Sequence, residues 1–402
     1  MAALAIFIGT YFVLALGRAP GLRVDRAGAA VIGASLMVAS GSIGFQEALS
    51  AVDWPTIVLL LGMMIVAANL RLAGFFRWTA AWVVRHAHHP RTLLVGVIAV
   101  SGVLSAIFVN DPICIVMTPL VVEVALALRR NPLPYLLAVA MASNAGSVAT
   151  ITGNPQNMMI GALSGISYAR FAGALAPVAA ISMAVIYLVL RWMFRKEFDG
   201  ARFDLHGHAR VRVNRGLLYK SLAVSAAMVW FFFAGWPVAQ TAIVAGAVLL
   251  VTRRVKPEKV YREVDWPLLA LFAGLFVVVA GVEKTSLEQD FLAMAKGFRL
   301  DRVWALSGFS AALSNLVSNV PAVLVFRPVV QRLADPELGW LTLAMSSTLA
   351  GNLTILGSVA NIIVVERARP QVNIRFVDYI RAGIPVTLLT LAAGVAWLTF
   401  VR

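Results

Sequence analysis

The chain has 402 residues, 60% hydrophobic and only 13% charged, with a mean hydropathy of +0.84. A soluble domain carries about 25% charged residues, so this composition excludes one and indicates a polytopic membrane protein. The net charge of +15 does not indicate a nucleic acid partner, because basic residues belong at the cytoplasmic ends of membrane helices and little of this chain lies outside apolar runs.

In chain order, the apolar periodicity predicts helices at about 2–17, 27–41 and 55–70. A segment with aromatic and basic faces follows, "FFRWTAAWVVRHAHH", and fits a helix lying in the membrane interface. A hairpin is expected over 92–128, then a broken helix over 134–164 and a helix at 169–190. The longest polar connection follows, giving a linker at 201–216. The second half predicts helices at 217–234, 238–252 and 267–282, a hairpin over 303–331, a broken helix over 341–365 and a last helix at 376–400. The first helix starts at Met1 without a basic leader, which argues against a cleaved signal peptide. Cys114 is the only cysteine, so no disulfide framework is expected.

The halves repeat each other. "VDWPTIVLLLGMMIVAA" at Val52 returns as "VDWPLLALFAGLFVVVA" at Val264, and "LSAIFVNDPICIVMTPLV" at Leu104 as "LSNLVSNVPAVLVFRPVV" at Leu313. Ser143, Thr150, Gly153 and Asn157 match Ser347, Thr354, Gly357 and Asn361 with identical spacing, and "ALAPVAAISM" at Ala174 matches "AGIPVTLLTL" at Ala382. The matches keep their order with displacements of 204 to 212 positions. Residues 1–200 and 217–402 therefore form two repeats. With both termini outside, 26 of the 34 Lys and Arg fall on cytoplasmic segments. An odd number of crossings then separates equivalent points, so the repeats have opposite orientation. Arg91, Arg129 and Arg130 flank the first hairpin and make it re-entrant from the cytoplasmic side. The expected fold is an all-α polytopic membrane protein of two inverted-topology repeats, with about ten transmembrane helices, two re-entrant hairpins and two broken helices.

Inverted repeats with interrupted helices are the architecture of secondary transporters. A break at membrane depth offers carbonyl oxygens to a cation and helix N-termini to an anion. In "SNAGSVATITGNPQNMMIG", Gly153 permits positive φ and close approach, and Pro155 suits the first turn of a new helix. The candidate substrate- and ion-binding residues are Ser143, Asn144, Thr150, Gly153, Asn154 and Asn157 in the first break, and Asn352, Thr354, Gly357 and Asn361 in the second. The hairpin tips add Asn110, Asp111, Ser318 and Asn319. Asp111 lies far from either basic flank, where a charge is costly unless functional or paired, and helix capping is its bland alternative. No phosphate-binding loop of the G-x-x-x-x-G-K-[ST] kind occurs, which leaves an ion gradient or facilitated flux as the energy source. No catalytic cluster appears at membrane depth, so an enzyme is not expected.

"NDPICIVMTPLV" and "ATITGNPQNMMIG", each at a hairpin tip or broken helix, resemble the ion transporter superfamily. Its arsenite/antimonite permease and general anion permease branches are the nearest in pattern, and the divalent anion/sodium symporters are related. The resemblance covers both repeats. It implies a homodimer in the cell membrane, for a bacterium the inner membrane, with a scaffold and a transport domain that moves elevator-fashion. In the dicarboxylate symporters each tip reads Ser-Asn-Thr and helps hold sodium and substrate; Asn110, Ser318 and Asn319 match. Na+ would then be held at Asn110, Gly153, Asn319 and Gly357, with Na+ or H+ as coupling ion and no other cofactor. The leading expectation is a secondary active transporter of a small anion or oxyanion, arsenite-like or related. A Na+/H+ antiporter using Asp111 and a Na+-coupled dicarboxylate symporter are the alternatives.

Overall fold

The computed structural model describes residues 2–17, 21–199, 213–284 and 297–400. The expected linker at 201–216 lies outside the described residues except for its last four positions. The first half contains α1 (Ala2–Leu16), α2 (Arg26–Ala39), α3 (Trp54–Ala73), α4 (Phe75–His86), α5 (Pro90–Phe108), α6 (Asn110–Ala127), α7 (Leu133–Ser147), α8 (Pro155–Ser164) and α9 (Tyr168–Met193). The second contains α10 (Arg215–Phe233), α11 (Val238–Leu250), α12 (Trp266–Glu283), α13 (Val303–Val317), α14 (Asn319–Val330), α15 (Pro336–Ala350), α16 (Val359–Ala368) and α17 (Phe376–Phe400).

Among the described residues, seven helices are long and apolar enough to cross a membrane: α3, α5, α6, α9, α10, α12 and α17. Three of the expected crossings, α1, α2 and α11, have only 15, 14 and 13 residues. At 1.5 Å per residue such helices reach about 20 Å, less than the ~30 Å hydrocarbon layer. The broken helices are pairs of half-spans, α7 with α8 and α15 with α16.

Capping chemistry sets several boundaries. In the two "VDWP" segments, Asp53 Oδ1 accepts from the Thr56 N–H at 2.7 Å and Asp265 Oδ1 from the Leu268 N–H at 3.0 Å. A proline follows in the first turn of each helix. α15 begins at Pro336, five residues before the expected 341, because Asp335 caps it by accepting from the Leu338 N–H at 2.9 Å.

Packing repeats as the sequence does. α3 lies against α11, and α2 against α12. A Cβ on Gly62 would come within 2.6 Å of the Ala242 backbone, and one on the equivalent Gly274 within 2.6 Å of the Ala30 backbone. Small residues let these helices approach this closely. A second group joins α5 to α7, α13 to α15 and α9 to α17. At its centre α7 is buried from Pro134 to Ser147 and α15 from Gly339 to Ala350. Burial on all sides explains why neither helix has a separate polar face, and their last turns carry the buried Ser143, Asn144, Ser147, Ser346, Ser347 and Thr348. Apolar side chains such as Phe12, Leu188 and Trp230 remain on the outer surface, as a lipid-facing exterior requires.

Candidate functional site

Each hairpin turns on a single residue. Val109, between α5 and α6, has φ +71°, and Ser318, between α13 and α14, has φ +76°. Neither is glycine, and a residue with a Cβ held at positive φ, the β-branched Val109 above all, stores about 1–3 kcal/mol that the surroundings must offset. Both tips therefore hold a strained conformation at the same place in the repeat. The N-cap position of α6 is Val109, without a side-chain cap, so Asp111 sits in the first turn rather than capping it.

The breaks match in equal detail. α7 ends, three residues form a 3₁₀ turn (Ile151–Gly153), and α8 restarts at Pro155; Ile355–Gly357 does the same before α16. Ending a helix leaves carbonyls without partners. Asn157 Nδ2 donates to the carbonyls of Ser147 and Thr150, both at 3.0 Å. Asn361 Nδ2 donates to those of Gly351 at 2.6 Å and Thr354 at 2.9 Å. One asparagine thus closes each break. Asn154 caps α8 by accepting from the Asn157 N–H at 2.8 Å.

Asn144 joins the two breaks. Its Nδ2 donates to Asn352 Oδ1 at 2.9 Å and Asn361 Oδ1 at 3.0 Å. Its Oδ1 accepts from Ser358 Oγ at 2.9 Å and from Asn110 Nδ2 at 3.2 Å. All four hydrogen-bonding positions of this buried amide are used. The symmetric contact also exists: Asn154 Nδ2 donates to Thr348 Oγ1 at 3.2 Å, and Gln156 Nε2 donates to the same oxygen at 3.1 Å. Asn352 further donates to the Met141 carbonyl at 3.2 Å.

Two cavities meet at Asp111. One, of ≈ 100 Å³, lies between the hairpin tips and is bordered by Asn110, Asp111, Gln156, Ser318, Asn319, Ser358 and Arg26. The other, of ≈ 150 Å³, is bordered by Asp111, Asp265 and the ion pair of Arg71 with Glu263, among apolar side chains. Residues in the first turns of α6, α8, α14 and α16 border the tip cavity, and the start of a helix carries partial positive charge. The Oδ1 atoms of the equivalent Asn110 and Asn319 are buried and have no hydrogen-bond partner among the described residues.

The family described as citrate transporter matches residues 10–350. The chain belongs to the citrate transporter family, within the ion transporter superfamily. It is 30% identical to the silicon efflux transporter LSI3 of Oryza sativa subsp. japonica, over 97% of this chain and 96% of that one. It is also 30% identical to a 46 kDa membrane protein of Mycobacterium leprae (strain TN), over 99% and 98%. A putative transporter, arsB of Dictyostelium discoideum, is 25% identical over 93% and 87%. The YdaH transporter of Alcanivorax borkumensis has the same fold, with a TM-score of 0.62 at 14% identity over 98% of this chain and 95% of that one. This family member is a multi-pass membrane transporter.

Of the residues singled out in the sequence of this citrate transporter relative, Asn110, Asp111, Ser318 and Asn319 border the tip cavity. The others stand behind it. Ser143 Oγ donates to the Ala140 carbonyl at 2.9 Å and lies 3.1 Å from Cys114 Sγ. Thr150 bonds the Ala106 carbonyl, and Thr354 Oγ1 donates to Asn315 Oδ1 at 3.4 Å. Asn144, Asn154, Asn157, Asn352 and Asn361 form the lattice described above. One expectation needs correction. Gly153 does not have positive φ, nor does Gly357. A Cβ on Gly153 would fall 2.1 Å from the Ser147 carbonyl oxygen, and one on Gly357 2.8 Å from Asn315 Oδ1. The carbonyls of Ser147, Thr150, Gly351 and Thr354 each accept one asparagine bond and keep a second lone pair. Sequence reasoning missed Arg26, Gln156, Thr348 and Ser358. Thr348 and Ser358 stand 204 positions after Asn144 and Asn154, so the displacement alone could have located both.

Proposed function

We propose that this chain is a secondary active transporter of a small anion or oxyanion, arsenite-like or related, coupled to H+ or Na+. The observation that carries this reading is the tip cavity, which is bordered by residues at the starts of α6, α8, α14 and α16 and by Arg26. Such a cavity favours negative charge without a dedicated side chain from each element. Its side-chain amides and hydroxyls, from Asn110, Gln156, Ser318, Asn319 and Ser358, offer the donors that an oxyanion accepts from. Asn110 Oδ1 and Asn319 Oδ1 are free acceptors for Na+, and Asp111 is the group that would carry a proton. The positions behind them, Gly153 and Gly357 included, hold the breaks in shape.

The strained tips and the breaks belong to the group containing α5–α9 and α13–α17, while α3 pairs with α11 and α2 with α12, α3 also touching α8. This division supports elevator movement of one group against the other. The distribution of Lys and Arg supports a cell-membrane protein, in a bacterium the inner membrane, with both termini outside. A homodimer is part of the same reading. A Na+/H+ antiporter is a second reading, favoured by the cavity in which Asp111 faces Asp265 and Glu263.

A thermal-shift screen of arsenite, silicate, phosphate, sulfate and citrate, each with and without Na+, tests the primary reading. A ligand that prefers the folded state raises the melting temperature. Stabilisation by at least one of these anions is expected. Stabilisation by Na+ alone, together with proton flux driven by Na+ in anion-free liposomes, would establish the antiporter instead.

A further inference from the structure

Arg26 is the first residue of α2 and borders the tip cavity. A cation in the first turn of a helix opposes the macrodipole. Its Nε is buried and has no hydrogen-bond partner among the described residues. A Cβ on Gly17, the residue that follows α1, would lie 3.8 Å from both Nε and Nη2, so the guanidinium lies beside the end of that helix. A buried guanidinium N–H without a partner is costly unless something in the cavity accepts from it. The fork of donors that an arginine presents matches an oxyanion bidentately.

Two features set Arg26 apart from the other groups around the cavity. Asn110, Asp111, Gln156, Ser318, Asn319 and Ser358 all ride on hairpin tips or breaks, whereas α2 packs chiefly on α1 and α12. Arg26 also has no charged counterpart in the second repeat. The 212-position displacement that pairs Gly62 with Gly274 takes Arg26 to Val238, which opens α11 as Arg26 opens α2. The charge is therefore presented to the cavity from one side of the pseudo-symmetric structure only.

We propose that Arg26 is a direct ligand of the transported anion, supplied from outside the hairpins and breaks and engaged only in the arrangement seen here. This assignment rests on the anion reading above. Displacing the hairpin group past α2 separates the anion from the guanidinium, which lowers affinity in the other arrangement. Arg26 thus makes the two faces of the transporter unequal.

The test uses the full chain in proteoliposomes, with arsenite, silicate and citrate as probes and the one carried fastest by the wild type taken forward. Arg26→Gln is expected to raise KM for that anion about 10- to 100-fold from one face, the loss of a charge-assisted hydrogen-bond pair, with a smaller change from the other. Arg26→Lys, which keeps the charge but loses the fork, should lie between wild type and Arg26→Gln and guards against a folding defect. The double variant Arg26→Gln/Asp111→Asn should bind no better than Arg26→Gln. Restored affinity in the double variant would overturn the assignment by showing that Arg26 only balances Asp111. An unchanged KM in Arg26→Gln, or equal shifts from both faces, would overturn it too while leaving anion transport standing. If the wild type carries none of the probes, the anion reading itself fails and Arg26 falls with it.

Discussion

Replacing Asn144 with alanine removes the residue that links both breaks and the first hairpin tip. Four hydrogen bonds are lost, to Asn352, Asn361, Ser358 and Asn110. Side-chain bonds between membrane helices average about 0.6 kcal/mol each, which gives about 2.4 kcal/mol for four. Leaving four buried groups wholly unsatisfied would cost about 1–3 kcal/mol apiece, a total far larger. The lower figure governs, because Asn352 and Asn361 stay anchored through their Nδ2 atoms to the Met141, Gly351 and Thr354 carbonyls. Water entering the vacated space can then reach their Oδ1 atoms. We expect Asn144→Ala to lower stability by about 2–4 kcal/mol, allowing for the cavity it leaves. Unfolding in a denaturing detergent series, followed by tryptophan fluorescence, measures it. Asn144→Asp keeps the volume but turns two donors into lone pairs facing Asn352 Oδ1 and Asn361 Oδ1, and should be at least as damaging. A loss below about 0.5 kcal/mol for the alanine variant, the size expected of a surface change, would refute the hub described here.

Gly153→Ala should abolish transport and lower the melting temperature more than Gly357→Ala. The first Cβ meets three backbone atoms of Ser147 at 2.1 to 2.7 Å, whereas the nearest atoms to the second are a movable Asn315 side-chain oxygen at 2.8 Å and the Gly351 carbonyl oxygen at 2.9 Å; equal melting temperatures would contradict this. Ser318→Gly removes the strain at the second tip and should stabilise the fold by about 1 kcal/mol in the same unfolding assay. No gain would mean that the tip is not strained. Asp111→Asn should keep the fold but flatten the dependence of transport on pH between about 5.5 and 8.5, the span expected for a carboxylate that carries the coupled proton. Superimposable pH profiles would remove Asp111 from the coupling.

The repeat was legible because both halves kept the residues that backbone geometry demands: Gly153 with Gly357, Asn157 with Asn361, and Pro112 with Pro321. These positions close the breaks and flank the turns, so their chemistry is fixed locally and the spacing survives. The partners that cross between the halves were not legible. Position 144 is Asn in one repeat and 348 is Thr in the other, and 154 and 358 are Asn and Ser. Each meets its opposite across the pseudo-symmetric structure, and no local pattern encodes that meeting. Arg26 was hidden for another reason. It ends a run of basic residues that the charge bias of membrane loops explains equally well, and only its position at the cavity sets it apart. The strained tips were equally silent, since Val109 and Ser318 are ordinary residues whose positive φ arises from the helices they join.

Uptake of arsenite, silicate and citrate by proteoliposomes, under an imposed Na+ or H+ gradient and after its collapse, tests whether this member of the citrate transporter family moves the proposed small anion at the expense of an ion gradient. At least one of the three should accumulate above its external concentration under one gradient and drain when that gradient is dissipated. Equilibration without accumulation under either gradient, or no flux of any of the three, would contradict the proposal.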